Sequence, residues 1–547
     1  MDFEKSYSGI PYSLFIFNTF FMYSIRKLKQ AHLHFLFIVL TFCTIVSCKK
    51  ENIGSVQTSS SSQLESVVFN IQNNTSQLTS SDSCTISGDT VSGYYPLKTD
   101  ASKLVASLTL SNANVKVLVN GNEVSNINAV TADFSKPVKI DLVGDSSTHS
   151  YSVNLIHFTG LPIVYITTTG GAAITSKEDS VTGSVSIDSN GTQFPSYSGS
   201  AYYFLHGNTT ATYPKLPYKM VLDSKSPILG MNTAKNWILL ANYDDKTLLR
   251  NYLALQMGRM FGMQWTPSSQ FVEVVLNGNY VGNYQVTEEV QVDKSRLNIN
   301  KMSASDNSGN KLTGGYLIEA DDKMEDDDHV RFYTSSQNNS FIVHEPSSIT
   351  TQQLAYINNY MDSAETVLYS DNFTDTVNGY RKYIDPLSFV NYFWVNEFSR
   401  NNDADFWSSS FLFKDKDSLL EMGPLWDFDL AFGNTSFNNN NQSTGWYMAQ
   451  NGTWFSRLLQ DPYFKNLAIT RWQQERGTLD SLNIMVDAMA KNLNQSEKQN
   501  FIVWPILSTV MPIASPVAYG SYDAEIANLK QWIAQRLAWI DANLNTL

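Results

Sequence analysis

Gly423-Pro424-Leu425-Trp426-Asp427-Phe428-Asp429-Leu430-Ala431-Phe432-Gly433 is the stretch on which the reading of this chain turns. Two carboxylates flank one Phe inside an otherwise apolar run. Residues two apart in an extended strand share a face, so a strand here points Asp427 and Asp429 the same way. Neither is cheap to bury without a cation or hydrogen-bond donors. Paired carboxylates suit Mg2+ (or Mn2+), a hard ion that prefers oxygen ligands, and bound Mg2+ in turn suits a nucleotide's phosphates. A plainer reading makes them turn or capping aspartates bonded to backbone amides and a nearby arginine. The residues alone leave both open.

Upstream lies Glu397-Phe398-Ser399-Arg400-Asn401-Asn402-Asp403, at the end of a predicted helix, Pro386 to Arg400. An aspartate there could orient or deprotonate a hydroxyl, the task of a kinase catalytic aspartate. The chain has no phosphate-binding P-loop, no Gly-x-Gly-x-x-Gly before a helix and no Gly-x-Ser-x-Gly elbow.

Working outward, Tyr218 to Leu222 reads as a short strand, and the apolar run Asn236 to Tyr243 ends in Asp244-Asp245. Apolar residues at helical spacing predict a helix from Lys246 to about Phe261, stopped by Gly262. Asn277-Gly278, the preferred two-residue turn, joins QFVEVVL and YVGNYQVTEEV as a hairpin. Two strands flank Lys416-Asp417, and an aromatic amphipathic helix, Ile526 to Leu544, closes the chain. Strands first and helices later define an α+β domain. Lys323 to His329 (KMEDDDH) is a solvated acidic loop on its own terms, and FNNNNQSTGW, ending at Trp446, a surface loop beside a cleft.

Residues 66–155 alternate apolar and polar in short runs (LVASLTL, VKVLVNG, KPVKIDLVG) broken by Asn, Gly, Asp and Ser. That pattern predicts a small immunoglobulin-like β-sandwich, a spacer with no chemistry of its own. Residues 156–547 then form the second domain, beginning with a β-rich lead-in. Before both, Arg26, Lys27 and Lys29 precede the apolar run Leu33 to Val46 and Ile45-Val46-Ser47-Cys48, so residues 1–48 read as a signal peptide ending in a lipidated Cys48. Met22 is an alternative start. Residues 49–65 are a Ser-rich tether. Lys49-Lys50-Glu51 after that cysteine resembles the surface-export signals of Bacteroidetes lipoproteins, which implies an outer-membrane lipoprotein at the cell surface, with the periplasmic face as the alternative. A net charge of -13 over 547 residues argues against nucleic acid as a partner. Of three cysteines, Cys84 alone follows the signal region, so the body has no internal disulfide. With 42% hydrophobic residues, core size must hold the fold.

Several stretches, in order, resemble the CotH family of spore-coat kinase-like proteins: His206-Gly207-Asn208, KLPYKMVLDSK (Lys215 to Lys225), WILLANYDDKTLLRN (Trp237 to Asn251), VLNGNYVGNYQVTEE (Val275 to Glu289), GGYLIEAD (Gly314 to Asp321), Asn402-Asp403 and the GPLWDFDLAFG block. The resemblance covers roughly residues 160–545. It implies a kinase-like fold that phosphorylates a protein hydroxyl, here on an exported or envelope protein. By that resemblance Asp403 is the catalytic aspartate, Asp427 a metal ligand and Asp429 a second ligand or its support. Lys219 contacts the ATP phosphates, Glu289 orients Lys219, and Arg250 anchors a phosphate or the fold. Two departures stand out. FLHGNTTATYP lacks the arginine and tryptophan that relatives place around its Gly-Asn, and Ser408-Ser409-Ser410 stands where many relatives have asparagines. ATP is also scarce outside the cytoplasm, so an inactive binding or structural lipoprotein on the same fold is the second reading. A carbohydrate-active enzyme is a third, though its two acids should face each other across a groove.

Overall fold

The computed structural model describes residues 62–323, 329–404, 406–511 and 513–547. The predicted signal peptide, Cys48, nearly all of the tether and most of the acidic stretch 323–329 lie outside the described residues. The chain is mixed α+β, with its sheets first and most of its helices last.

Period-two alternation between Leu64 and His157 produces two facing sheets. One contains β1 (Leu64–Phe69), β2 (Asp82–Ser83), β5 (Val105–Leu110) and β8 (Val130–Thr131). The other contains β3 (Thr85–Ser87), β4 (Thr90–Tyr95), β6 (Lys116–Val119), β7 (Asn122–Glu123), β9 (Val138–Val143) and β10 (Thr148–His157). Val67, Val91, Ala106, Val138 and Val153 are fully buried between them, and Phe69 meets Phe134 edge-on at 5.0 Å. β4 and β10 run parallel, so this unit is not a simple meander. Cys84 is a half-buried free thiol.

The β-rich lead-in is part of a closed seven-stranded barrel. Its strands are β11 (Ile163–Thr168), β12 (Val181–Asp188), β13 (Tyr197–Leu205), β14 (Tyr218–Ser226), β15 (Ala234–Leu240), β16 (Ser269–Leu276) and β17 (Asn279–Glu288), in the order β11-β12-β13-β14-β15-β17-β16. Parallel pairing of β11 with β16, Ile163 opposite Glu273, closes it. Alternate side chains, among them Val185, Tyr203, Met220, Trp237 and Val286, fill the interior. The predicted hairpin turn is present, with φ of 50° at Asn277 and 80° at Gly278, as a turn matched to strand twist requires. Asn190 Nδ2 donates to the His157 and Leu161 carbonyls (2.9 and 2.8 Å) and Thr159 Oγ1 to Glu273 (2.6 Å), which ties the two N-terminal sheets to the barrel.

A five-stranded antiparallel sheet follows: β18 (Tyr316–Ala320), β19 (Arg331–Tyr333), β20 (Ser340–Glu345), β21 (Ser410–Lys414) and β22 (Leu420–Met422), in the order β19-β20-β18-β21-β22. Its helical surroundings include α1 (Arg250–Met260), α2 (Thr351–Leu368), α3 (Pro386–Ser399), α4 (Met448–Asn451), α5 (Thr453–Leu458), α6 (Pro462–Leu479), α7 (Leu482–Val503) and α8 (Tyr522–Asn543). α3 starts where predicted because Asp385 accepts from Ser388 N (2.7 Å), Pro386 fits the first turn, and Arg400 ends it with a left-handed φ of 48°. Its length is buried, with Trp394 packed on Trp472 at 4.7 Å. α1 begins four residues later than the periodicity suggests. Asp245 accepts from Thr247 N (3.0 Å) and Arg250 N (2.8 Å), and Leu248 has a φ of 62°, so Lys246 to Leu249 form a turn that caps the helix. α7 docks on the barrel through polar contacts: Asn283 Nδ2 to Ser496 Oγ (2.8 Å), Lys215 Nζ to Asn500 Oδ1 (2.9 Å) and Trp504 Nε1 to the Val281 carbonyl (2.9 Å).

Candidate functional site

A cavity of about 1620 Å³ is lined by residues from the barrel, the five-stranded sheet and the loop after α3, including Lys219, Asp244, Glu289, Asp403, Asp427 and Asp429. Five of the six residues singled out for catalysis, metal or nucleotide therefore line one space. Arg250 does not.

Lys219 lies on β14 between the inward Tyr218 and Met220, so its side chain leaves the barrel on the outer face. Its ammonium reaches Glu289 Oε1 at 2.6 Å, just beyond the end of β17. Above them the β13–β14 loop, His206 to Thr210, forms part of the wall. Burial pushes the His206 imidazole down to about 4, with Lys219 and Lys177 adding to the effect against Glu289, so it is neutral at pH 7. His206 meets the edge of Trp426, from the apolar block, at 6.2 Å.

The two aspartates of that block are not placed by strand alternation. β22 ends at Met422, the block is irregular, and Asp427 has a left-handed φ of 62°. A turn brings Asp427 and Asp429 together, with their carboxyls bonded to each other and Asp429 bonded on to Asp244. This corrects the strand argument and keeps its outcome. Scaffold contacts hold the loop in place. Asn251 Oδ1 accepts from Phe428 N (2.8 Å), Asn434 Nδ2 donates to the Asp429 and Asp244 carbonyls (2.7 and 3.1 Å), and Arg250 Nε donates to the Ala431 carbonyl (3.1 Å). Arg250, read as an anchor for either a phosphate or the fold, is buried and ion-paired to Asp245. Its charge is used to hold the capping turn to the aspartate loop, which leaves no face toward the cavity.

Asp403 follows the left-handed end of α3. Its own N–H donates to Asn401 Oδ1 (3.4 Å), Asn402 Nδ2 to Asp403 Oδ1 (3.1 Å), and Asn401 Nδ2 to the Asp427 carbonyl (3.2 Å). Tyr447 OH donates to the Asn402 carbonyl (2.9 Å). Non-glycine residues with positive φ gather here: Asn242, Arg400, Phe406, Ser409, Asp427, Phe432, Asn438 and Asn439. Such residues cost about 1 kcal/mol or more each, and they collect at functional sites where surrounding contacts over-determine them. Ser409 N donates to Glu319 Oε1 (2.9 Å), and Ser410 lies on β21 with Tyr392 OH donating to its Oγ (3.2 Å), so these two serines are tied into the sheet.

Burial raises all three bonded carboxyls. Asp244 is pushed up to about 6, and Asp427 and Asp429 go well above the usual range, with the neighbouring negative charges, Asp403 included, adding to the effect. Asp244 and Asp403 are buried, while Asp427 and Asp429 keep part of their surface open to the cavity. A proton or a cation satisfies such a cluster, and either displaces the other. The donor set is all oxygen and fits Mg2+ in kind. Among the described residues no group of three or more His, Cys, Asp or Glu side chains is arranged to hold an ion.

Sequence reasoning missed Asp244, whose signal was a doublet closing an apolar run. It also missed Tyr447 and the pair His344 Nε2–Glu319 Oε2 (2.7 Å), all at the cavity wall.

The CotH kinase protein family model matches residues 204–540, more than half of the chain, and the chain belongs to that family. No curated protein matches. Among solved structures, a candidate glycoside hydrolase from Bacteroides thetaiotaomicron aligns at 15% identity over 38% of this chain and 40% of its own, with a TM-score of 0.12. This chain thus spans well under two thirds of that structure. No helix among the described residues is long and apolar enough to cross a membrane.

Proposed function

We propose that this protein is an exported CotH-type kinase that transfers the γ-phosphoryl group of ATP to a hydroxyl of an exported or envelope protein. The observation that carries this reading is the Lys219–Glu289 pair, 2.6 Å, in the same cavity as Asp403, Asp427 and Asp429. Lys219, steadied by Glu289, binds phosphate oxygens as an oriented point charge. Asp427 and Asp429 would hold Mg2+ or Mn2+, which neutralises charge developing on the transferred group. Asp403, kept in place by Asn401, Asn402 and Tyr447, takes the acceptor hydroxyl's proton as the new O–P bond forms and ADP leaves. N-terminally, the two-sheet unit acts as an immunoglobulin-like spacer that follows a lipidated Cys48 in the chain, on an outer-membrane lipoprotein of Bacteroidetes type at the cell surface.

One observation favours the second reading, an inactive surface-binding protein: the aspartates are bonded to one another. Calorimetric titration of the full-length chain with ADP, with and without Mg2+, separates the two. The kinase reading expects Mg2+-dependent binding that Lys219→Met abolishes, and absence of nucleotide binding would sink it.

A further inference from the structure

Resting on the nucleotide reading above, we infer that Lys177 is a second phosphate-binding cation of this cavity, stationed by Asn208. Among the described residues four lysines line the cavity: Lys177, Lys215, Lys219 and Lys323. Lys215 is fully buried and committed to the Ala241 and Asn283 carbonyls and Asn500. Lys219 faces the carboxylate of Glu289, which offsets its charge. Lys323 lies on another wall, its N–H bonded to the Trp407 carbonyl (3.1 Å), and its charge acts on Asp427. His206, in the β13–β14 loop of the cavity wall, is held neutral by burial and adds no charge.

Lys177 differs from all of these. It is exposed, and its ammonium bonds the side-chain oxygen of Asn208, a neutral group, so its full positive charge remains available. It is also held in place. Ser176 Oγ accepts from Glu178 N (3.2 Å) and Asp179 N (2.8 Å), and the Ser176 carbonyl accepts from Leu205 N (2.8 Å). These bonds pin the turn carrying Lys177 to the end of β13, beside the His206–Thr210 loop. Glu178 lines the same mouth. Its negative charge there makes a cation more necessary for a polyanionic ligand, and a charge-assisted bond from Lys177 to a phosphate oxygen meets that need. Asn208 then sets the lysine's position between the two loops without cancelling its charge.

The test is calorimetric titration of the full-length wild-type, Lys177→Met and Lys177→Arg proteins with ATP plus Mg2+ and, separately, with adenosine. Loss of one charge-assisted phosphate contact weakens ATP binding by about tenfold. The expected result is that loss for Lys177→Met, adenosine affinity unchanged within about twofold, and most ATP affinity kept by Lys177→Arg. Wild-type ATP affinity in Lys177→Met overturns the inference alone. Equal loss of ATP and adenosine binding assigns Lys177 to loop structure and also overturns it. A wild-type protein that binds neither ligand removes the nucleotide reading and this inference with it.

Discussion

Replacing Arg536 by Met removes one half of a fully buried ion pair and tests how the loop that carries Asp403 is supported. Arg536 Nη2 donates to Glu397 Oε1 and to the Glu397 carbonyl, both at 2.6 Å, Nε to the Phe398 carbonyl (3.1 Å), and Nη1 to the Gly445 carbonyl (2.7 Å). Glu397 in turn accepts from Tyr447 N (2.9 Å) and Ala449 N (3.0 Å), and the Tyr447 hydroxyl holds the Asn402 carbonyl beside Asp403. Breaking a buried pair by deleting one partner costs about 3–5 kcal/mol. The lower end applies, because Glu397 keeps two backbone donors and the Gly445 carbonyl keeps Arg400 (2.8 Å). Methionine refills part of the volume, and the Phe398 carbonyl left without this donor adds about 1 kcal/mol. The sum is about 3–4 kcal/mol. Adding Glu397→Gln removes the stranded charge and should return about 2 kcal/mol of it. Urea unfolding followed by tryptophan fluorescence reports this core directly, since Trp394, Trp446 and Trp472 pack in it. A loss under about 1 kcal/mol for Arg536→Met, or further loss on adding Glu397→Gln, would refute the reasoning.

Three further outcomes follow from the same contacts. Gly433→Ala should destabilise by about 2 kcal/mol in urea unfolding, because φ is 80° and a Cβ would stand 2.6 Å from the Trp532 ring; a neutral effect would mean that the ring moves freely. Asp427→Asn relieves carboxylate crowding, so without Mg2+ its unfolding free energy should rise by about 1 kcal/mol, while phosphoryl transfer is lost; a lower unfolding free energy contradicts the repulsion argument. Glu421, pushed up to about 7 by burial and by Asp385 and Asp415, binds its proton more tightly folded than unfolded. Its contribution is therefore present below the unfolded carboxyl pKa and lost as pH rises toward 7. Glu421→Gln should gain thermal stability over wild type at pH 8 and match it near pH 4.5, and a gain independent of pH would discount the titration.

What the sequence disclosed divides along the range of the interactions involved. Asn277-Gly278 and the run from Pro386 act within a few residues and produced the hairpin and the helix read from them, and the alternation before His157 produced strands. The barrel did not show, because β11 pairs with β16 across a hundred residues and no local pattern encodes that closure. Asp427 and Asp429 drew notice as costly charges in an apolar run, a compositional signal. Their convergence with Asp244 depends on a left-handed turn, on Asn251 from the distant helix α1 and on Asn434 just after the block, which reaches back to Asp244. Arg250 was left with two readings for a related reason. A cation near a helix start reads equally as phosphate ligand or scaffold, and only the position of Asp245 decides. Lys219 and Glu289 came through the resemblance, since a lysine on a strand's outer face is ordinary by itself.

The central claim is tested most directly by transfer of labelled γ-phosphate from ATP, with Mg2+ or Mn2+, to the protein itself or a generic protein acceptor. Full-length wild type, Asp403→Ala and Asp427→Ala would be compared at equal folded concentration. The account predicts metal-dependent incorporation by wild type and its loss in both variants, since one removes the base and the other a metal ligand. Incorporation that survives either substitution, or none by wild type, would contradict it.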